Sequence, residues 1–377
     1  MLCSCLFFWL IWSLLISTVV FGFSSARGFG GNAVSTPKPK GGRLKSNKNK
    51  QSPTAVQHQH QQHPLLNWLE TFPEAKFESI SIRPSLCGDG MGGFLTKSVQ
   101  DGEVVFVVPS DAFVSVGNAL QHPTLGHQFQ KLWMETAEDD PKGTSVLAAF
   151  VGHSILNMQR NDNYCTNRAY LDMLPTNTPK EKHPLWWSDA EMELLRGTSA
   201  MQEWMEMRED VDEMIRIVID SSVLLDDIVR YGLDQVELAV RAGFVAVLSR
   251  AYGVFSDSLD DDRREFKALI PLLDALNHAD EPNVMYSYEG SAATSGRDGL
   301  SGVLIARAVG SLEKGDELTI SYGSHPNHVF GLYFGFVPER ESHPVDYSSL
   351  VSGGGVRQCC KEMAFLIKCS EATAILG

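Results

Sequence analysis

Apolar and polar positions repeat with different periods in three consecutive parts of this sequence. Residues 77–109 hold short apolar runs such as EVVFVVP around a glycine-rich turn, a pattern typical of β-strands. Residues 145–256 instead show helical spacing, and Trp204, Val211, Ile215 and Val218 fall on one face. Strand patterns return at GVLIARAV and DELTISYG. Because a helical segment separates two groups of strands, the sequence predicts one α+β domain whose strands are split along the chain.

Residues near the expected helix starts refine this pattern. The folded part is expected to begin near Pro64, where LLNWLETF starts a helical repeat. Ser188 followed by Glu191 forms a capping-box pattern, in which each side chain bonds the other's backbone N–H. Asp234 and Glu237 offer a second cap ahead of a long apolar helix. The sequence shows no internal repeat.

The first 63 residues differ from the rest in composition. Residues 6–23 form an uncharged apolar run followed by SSA, which predicts a signal peptide or signal anchor over residues 1–26. Residues 27–63 are rich in Ser, Lys, Gly and Gln and predict a transit-peptide-like linker that includes the tract QHQHQQH. Together they resemble the bipartite plastid-targeting leader of algae with complex plastids. Passage through the secretory pathway or membrane anchoring are the alternatives.

Charge and cysteine content exclude several function classes. The 377 residues carry a formal net charge of −14, although seven of the 32 basic residues precede the first acid, Glu70. The remaining chain is therefore strongly acidic, would repel phosphate backbones and is not expected to bind nucleic acid directly. The seven cysteines have no C-x-x-C spacing, so neither a disulfide framework nor a zinc cluster is predicted. No metal site is expected.

Two familiar motifs can be set aside. GDGMGG at residues 88–93 satisfies G-x-G-x-x-G, but the dinucleotide fingerprint requires a helix directly after it to receive the pyrophosphate. A strand pattern follows instead. The sequence also lacks a G-x-S-x-G nucleophile elbow, so a serine hydrolase is not supported.

Five segments, taken together and in order, are far more specific than any one of them: GDGMGG, VLSRAYGV, PLLDALNH, DELTISYG and FGFV. In this order they resemble SET-domain methyltransferases of the branch that contains Rubisco large-subunit lysine methyltransferase. The resemblance covers about residues 64–340 and also includes YLDMLPTNTP and PLWWSDAEMELLRGTS. It implies an α+β SET fold of short twisted strands, a helical insertion at about residues 115–245 and a C-terminal pseudoknot. Residues 341–377 would begin a helical substrate-docking region that is truncated here.

The resemblance also implies a site that uses S-adenosylmethionine. Tyr322 would be the catalytic residue. The cofactor would contact Asp89, Gly90, Met91, Arg250, Asn277 and His278. The substrate side would comprise Ser249, Tyr252, Val254, Asp274 and Phe334, although many family members have a tyrosine at the position of Phe334.

The implied activity is N-methylation of a lysine in a protein substrate, with Rubisco large subunit or another plastid protein as the leading class. Tyr252 and Leu273 favour lysine over histidine, because the histidine-directed branch carries asparagine and tryptophan at these places. A protein-histidine methyltransferase and a non-catalytic SET module that binds a protein tail remain alternatives. A monomer is expected, with membrane contact only through an N-terminal anchor. Methyl transfer to a neutral amine requires positioning and desolvation rather than a metal or a covalent nucleophile.

Overall fold

The computed structural model describes residues 63–86, 90–158, 167–175, 183–255, 265–290 and 302–338. Several predicted features lie outside the described residues: the signal segment 1–26, nearly all of the linker 27–63, Asp89, the C-terminal region 341–377 and all seven cysteines. Within the described ranges, no helix combines the length and the apolar character needed to cross a bilayer.

Short strands form three small sheets. The strands are β1 (Ile80–Pro84), β2 (Met91–Leu95), β3 (Val104–Pro109), β4 (Val114–Ser115), β5 (Ala251–Phe255), β6 (Glu265–Leu269), β7 (Asn277–His278), β8 (Val284–Gly290), β9 (Gly302–Ala308) and β10 (Glu317–Ile320). Their orders are β1-β2-β10-β7, β3-β9-β8 and β4-β6-β5. Each sheet therefore joins strands that lie on both sides of the central helical segment.

Helices dominate the middle of the chain. They are α1 (Pro64–Leu69), α2 (Val116–Leu120), α3 (Gly126–Thr136), α4 (Thr144–Asn157), α5 (Arg168–Leu171), α6 (Asp189–Glu193), α7 (Ser199–Asp220), α8 (Leu225–Tyr231), α9 (Leu233–Arg250) and α10 (Asn327–Phe334). Nearly all of them lie between β4 and β5. The predicted α+β class is confirmed.

Local sequence signals account for the starts of several of these helices, and the structure corrects one predicted start. Ser188 and Glu191 form the predicted capping box at the start of α6. The predicted cap at Asp234 is wrong, because α9 begins at Leu233 after Gly232 and its first turn has no side-chain cap. Gly232 has a φ of +89°, a conformation that favours glycine, and it provides the sharp change of direction between α8 and α9.

Helices α4 and α9 pack closely and hold the core against the sheets. A Cβ at Gly243 of α9 would stand 2.1 Å from the carbonyl oxygen of Ala148 in α4, so only glycine permits this approach. The facing residues of both helices are buried. This rigid pair carries Thr144 at one end of α4 and Arg250 at the end of α9 towards the same region.

Two segments that are far apart in the sequence meet where β7 pairs with β10, and these are called the threaded strands below. These strands pair in parallel, with Thr319 opposite Asn277 and Ile320 opposite His278. The preceding segment is buried, and Leu272 within it has a φ of +72°. A branched, non-glycine side chain in this region of backbone space is strained, and such strain concentrates at functional sites. The threading brings the PLLDALNH and LTISYG segments together.

Candidate active site

A narrow cavity of about 100 Å³ lies beside the threaded strands. Its walls include Arg250 at the end of α9, Tyr252 of β5, Tyr286 of β8, Tyr322 after β10 and Phe334 of α10. This volume is roughly that of three water molecules in the liquid. It suits a slender side chain and is below the roughly 300 Å³ that drug-sized ligands occupy.

Tyr322 is held at the cavity by both its backbone and its hydroxyl. The backbone N–H donates to Nδ1 of His278 at 3.1 Å, and the hydroxyl donates to the carbonyl oxygen of Leu276 at 2.8 Å. The phenol ring lies 4.9 Å from the ring of Phe334 and 5.4 Å from that of His278. A hydroxyl that donates one hydrogen bond can still accept another. The oxygen of Tyr322 therefore remains a possible acceptor.

Three of the phenols around the cavity, those of Tyr252, Tyr286 and Tyr322, stay protonated at neutral pH. Burial raises the pKa of Tyr322 to about 12, and burial also raises the pKa of Tyr286 to about 12. The pKa of Tyr252 lies well above its ordinary value, again mainly because of burial. The cavity thus offers hydroxyl groups and aromatic faces rather than phenolate charge.

Asn277 links three segments at the other side of the threaded strands. Its Nδ2 group donates to the Met91 carbonyl oxygen at 3.3 Å and to Oε1 of Glu317 at 2.9 Å. The Asn277 Oδ1 atom is left to accept a further hydrogen bond. Glu317 is buried and also accepts from the Ser85 hydroxyl at 2.7 Å and the Leu86 N–H at 2.8 Å.

The start of β2 has room for a ligand. Gly90 has a φ of +95°, and, its chain neighbours aside, no atom of the described residues lies within 4 Å of the place where its Cβ would stand. The adjacent Met91 is 37% exposed. The following glycines serve packing within the protein, because a Cβ at Gly92 would meet Oε1 of Glu317 at 2.5 Å. Since β2 and not a helix follows the motif, a dinucleotide-binding site is excluded here as well.

His278 is fixed between the two sides of the site. Its Nδ1 accepts the Tyr322 N–H, so the proton of a neutral ring lies on Nε2, which is 3.4 Å from Oδ1 of Asp280. Its ring packs against Phe330 at 4.7 Å. His278 therefore holds the end of β10 in place.

Arg250, at the cavity wall, pairs with the buried Asp274. Nη1 of Arg250 donates to the backbone oxygen of Asp274 at 2.8 Å and lies 4.0 Å from its Oδ2. Burial raises the pKa of Asp274 to about 6, while Arg250 and a hydrogen bond from Tyr170 oppose that rise. The carboxylate is thus close to titrating at neutral pH.

The structure brings together most of the predicted site residues. Ser249, Arg250, Tyr252, Tyr322 and Phe334 all line the cavity. Met91 accepts a hydrogen bond from Asn277, Gly90 directly precedes Met91, and His278 directly follows Asn277.

Two predicted substrate residues lie elsewhere. Val254 and Asp274 are buried and do not line the cavity, so a direct contact with substrate remains only a prediction for them. Asp89 lies outside the described residues.

Three residues of this region were not predicted from the sequence. Tyr286 lines the cavity, Glu317 anchors Asn277, and Tyr170 bonds Asp274. An alternating strand pattern in VMYSYEG could have indicated that Tyr286 faces the core. Tyr170 had no such signal, because its partner is 104 residues away.

A second, larger cavity of about 930 Å³ lies between α1 and the helices of the central segment. Its polar wall includes His122, His153, Asn157 and Asp227. Nδ1 of His153 lies 2.5 Å from Oδ2 of Asp227, and Nδ2 of Asn157 donates to Oδ1 of Asp227 at 3.2 Å. No group of three or more His, Cys, Asp or Glu side chains in the described ranges could hold a metal ion.

Comparisons with known proteins identify the family and the fold. The model of the SET domain family matches residues 90–323, more than half of the chain. Similar solved structures include the SET domain of LSMT bound to lysine and AdoHcy, with 17% identity and a TM-score of 0.53 over 73% of this chain and 56% of that one. Rubisco LSMT bound to sinefungin and monomethyllysine is 14% identical, with a TM-score of 0.51 over 74% of this chain and 56% of the other.

These structural likenesses establish the fold, and the chain spans just over half the length of the solved structures. No curated protein matches the sequence.

Proposed function

The chain belongs to the SET domain family, and from this premise we propose that it is an S-adenosylmethionine-dependent protein-lysine N-methyltransferase. The match to the family model confirms the resemblance, and the similar solved structures confirm the SET fold expected from the sequence. The single observation that carries the proposed activity is the position of the Tyr322 hydroxyl, at the wall of a narrow aromatic cavity and 2.8 Å from the Leu276 carbonyl oxygen.

The cavity suits the acceptor amine. An amine attacks only when it is uncharged, and removal from water lowers the pKa of a lysine because it disfavours the ammonium form. The aromatic wall of Tyr252, Tyr286 and Phe334 supplies that environment. A neutral amine can donate an N–H to the Tyr322 oxygen, which directs its lone pair away from the phenol. Tyr322 thus acts by orientation and not as a base.

The residues at the start of β2 would hold the cofactor. The open space at Gly90, the exposed Met91 and the free Oδ1 of Asn277 fit a polar organic ligand, and His278 supports this side from behind. Arg250 could pair with a carboxylate such as the one at the amino-acid end of the cofactor. When bound, S-adenosylmethionine supplies an electrophilic methyl group on a positively charged sulfur. This chain's residues keep water away and align the acceptor.

The acceptor class is lysine in a protein substrate. The solved neighbours are described with lysine or monomethyllysine bound, and Tyr252 lies on the cavity wall. The family resemblance implies lysine here, because lysine-directed members tend to have an aromatic residue at this place and the histidine-directed branch carries an asparagine. Among proteins, Rubisco large subunit or another plastid protein remains the leading proposal.

A direct assay tests the activity. The full chain is incubated with a plastid-containing cell extract and S-adenosylmethionine labelled in its methyl group, and labelled proteins are identified by mass spectrometry. Label on a lysine is the expected result. Binding of a protein from the extract without any transfer would instead support the non-catalytic module, and label on a histidine would support the histidine-directed alternative.

We also propose a plastid location, which depends on residues 1–63 and is independent of the activity. Those residues fused to a fluorescent reporter should enter the plastid of an alga with complex plastids. A reporter that stays in the endoplasmic reticulum or reaches the medium would favour anchoring or secretion.

A further inference from the structure

Tyr170 connects the central helical segment to the candidate active site. Its side chain is fully buried, and its hydroxyl donates to Oδ2 of Asp274 at 2.8 Å. Its ring is stacked on that of Trp68, with centroids 6.4 Å apart and planes 7° from parallel. Burial of a phenol costs free energy unless the hydroxyl finds a partner, so this contact has a specific role in the fold.

Asp274 connects Tyr170 to Arg250. One guanidinium nitrogen of Arg250 donates to the Asp274 backbone oxygen at 2.8 Å and lies 4.0 Å from the same Oδ2 atom that accepts from Tyr170. Arg250 and Tyr322 both line the cavity, whereas Tyr170 and Asp274 do not. Arg250 is therefore the cavity residue that the two buried residues reach by a hydrogen bond.

We propose that Tyr170 is a positioning residue for methyl transfer, which holds the Asp274 carboxylate so that Arg250 stays fixed at the wall of the Tyr322 cavity. This inference rests on the proposed function. It makes the helical segment a part of the active-site support and not only a surface for substrate.

Electrostatics give this role a measurable signature. Burial raises the pKa of Asp274 to about 6, and Arg250 and the Tyr170 hydrogen bond lower it. The other ionisable groups that interact with Asp274 are the neutral phenols Tyr252 and Tyr322. Loss of the Tyr170 hydroxyl removes a bond to the charged form, which raises the pKa of Asp274 further. A larger fraction of Asp274 is then protonated at neutral pH, and its attraction for Arg250 weakens.

The test compares Tyr170→Phe with the unaltered full-length protein on a verified substrate. The ratio of their kcat/KM values is measured from about pH 6 to about pH 9, so that titration of the substrate amine cancels. We expect a loss of roughly tenfold to a hundredfold near pH 6, the range for one hydrogen bond to a charged group. The loss should shrink as the pH rises, because Asp274 becomes ionised again.

A matched control and a second variant complete the test. Tyr231→Phe removes a hydroxyl that donates to Asn157 at 3.3 Å, far from Asp274 in the hydrogen-bond network, and should leave the ratio near one at every pH. In an Asp274→Asn background, Tyr170→Phe should cost less than about threefold, because coupled residues are not additive.

Three results would overturn the inference. The first is a Tyr170→Phe ratio that is independent of pH. The second is a full additional loss in the Asp274→Asn background. The third applies if Tyr170→Phe does not fold, because Asp274→Asn alone then decides. It is a kcat/KM profile of Asp274→Asn whose acidic limb is identical to that of the unaltered protein. An unaltered protein that transfers no methyl group refutes the proposed function itself, and the positioning role fails with it.

Discussion

The two cavities of this molecule differ in size, origin and use of polar groups. The smaller has about 100 Å³ and is enclosed by strands, helix ends and the threaded segment that are far apart in sequence. The larger has about 930 Å³, and most of its polar wall comes from the central helices. Volume alone would select the larger one as the functional site. The smaller one is the better candidate, because it collects phenols and a guanidinium around one point.

The polar groups of the larger cavity are already paired with one another. Both carboxylate oxygens of Asp227 are engaged, one by His153 and one by Asn157. His122 remains largely neutral, since burial lowers its pKa and His153 lowers it further, against the opposing effect of Asp227. These side chains join α4 to α8, so a structural role accounts for them. In the smaller cavity, Tyr322 keeps acceptor capacity, so its polar groups can still serve a ligand.

Replacement of Tyr322 by phenylalanine should produce the largest effect. The ring and the cavity shape remain, but the hydroxyl that orients the amine is lost. We expect kcat to fall by at least ~100-fold, the scale for removal of one preorganised hydrogen-bonding group. Cofactor affinity should change by less than about threefold, because the interaction acts mainly in the transition state. Steady-state kinetics and calorimetric titration measure the two quantities.

Tyr288→Phe is the matched control for that change. Tyr288 is on the same strand as Tyr286 but does not line the cavity. Near-normal turnover of Tyr322→Phe would show that this tyrosine has only a structural role at the end of β10, and the proposed orientation mechanism would then be wrong.

Asn277→Ala should have the next largest effect, on binding and not on turnover alone. It removes the donor to Met91 and Glu317. It also removes the free Oδ1, so a ligand donor that is buried against this atom would be left unpaired at a cost of ~1–3 kcal/mol. This corresponds to a loss of about tenfold to a hundredfold in S-adenosylmethionine affinity by calorimetry. Asn283→Ala removes an amide that bonds only the backbone of Glu317 and the backbone and hydroxyl of Thr319 in β10, and it should leave the affinity nearly unchanged. Equal affinities for Asn277→Ala and the unaltered protein would remove Asn277 from the cofactor site.

The sequence predicted the fold better than it predicted the residues that support the site from behind, such as Tyr170 and Glu317. Strand and helix periodicity, and the Ser188 capping box, depend on neighbours within a few residues, so they are legible without a structure. The resemblance then grouped Tyr322 with Asn277, which the parallel pairing of β7 and β10 brings together.

The missing parts depend on contacts between distant segments. Tyr170 bonds Asp274 across 104 positions, and no local pattern distinguishes it from an ordinary buried tyrosine. The Asp234 cap failed for a related reason: Gly232 sets the direction of the chain, so α9 begins before the aspartate can act as its cap. The burial of Val254 likewise follows from how β5 packs and not from its own sequence.

The smallest effect on methyl transfer is expected for a substitution in the larger cavity. Such a substitution tests the difference between the two cavities most directly. Asp227→Asn keeps the shape of the side chain but removes the charge that His153 and Asn157 contact, so it should lower the free energy of unfolding by about 1–3 kcal/mol in urea denaturation. Because none of these groups lines the smaller cavity, kcat/KM should stay within about twofold, within the range of additive, distant sites. Asp226→Asn, an exposed neighbour, controls for the loss of a surface charge. If Asp227→Asn remains folded yet loses tenfold or more in methyl transfer, the larger cavity takes part in the reaction and the distinction drawn between the two cavities fails.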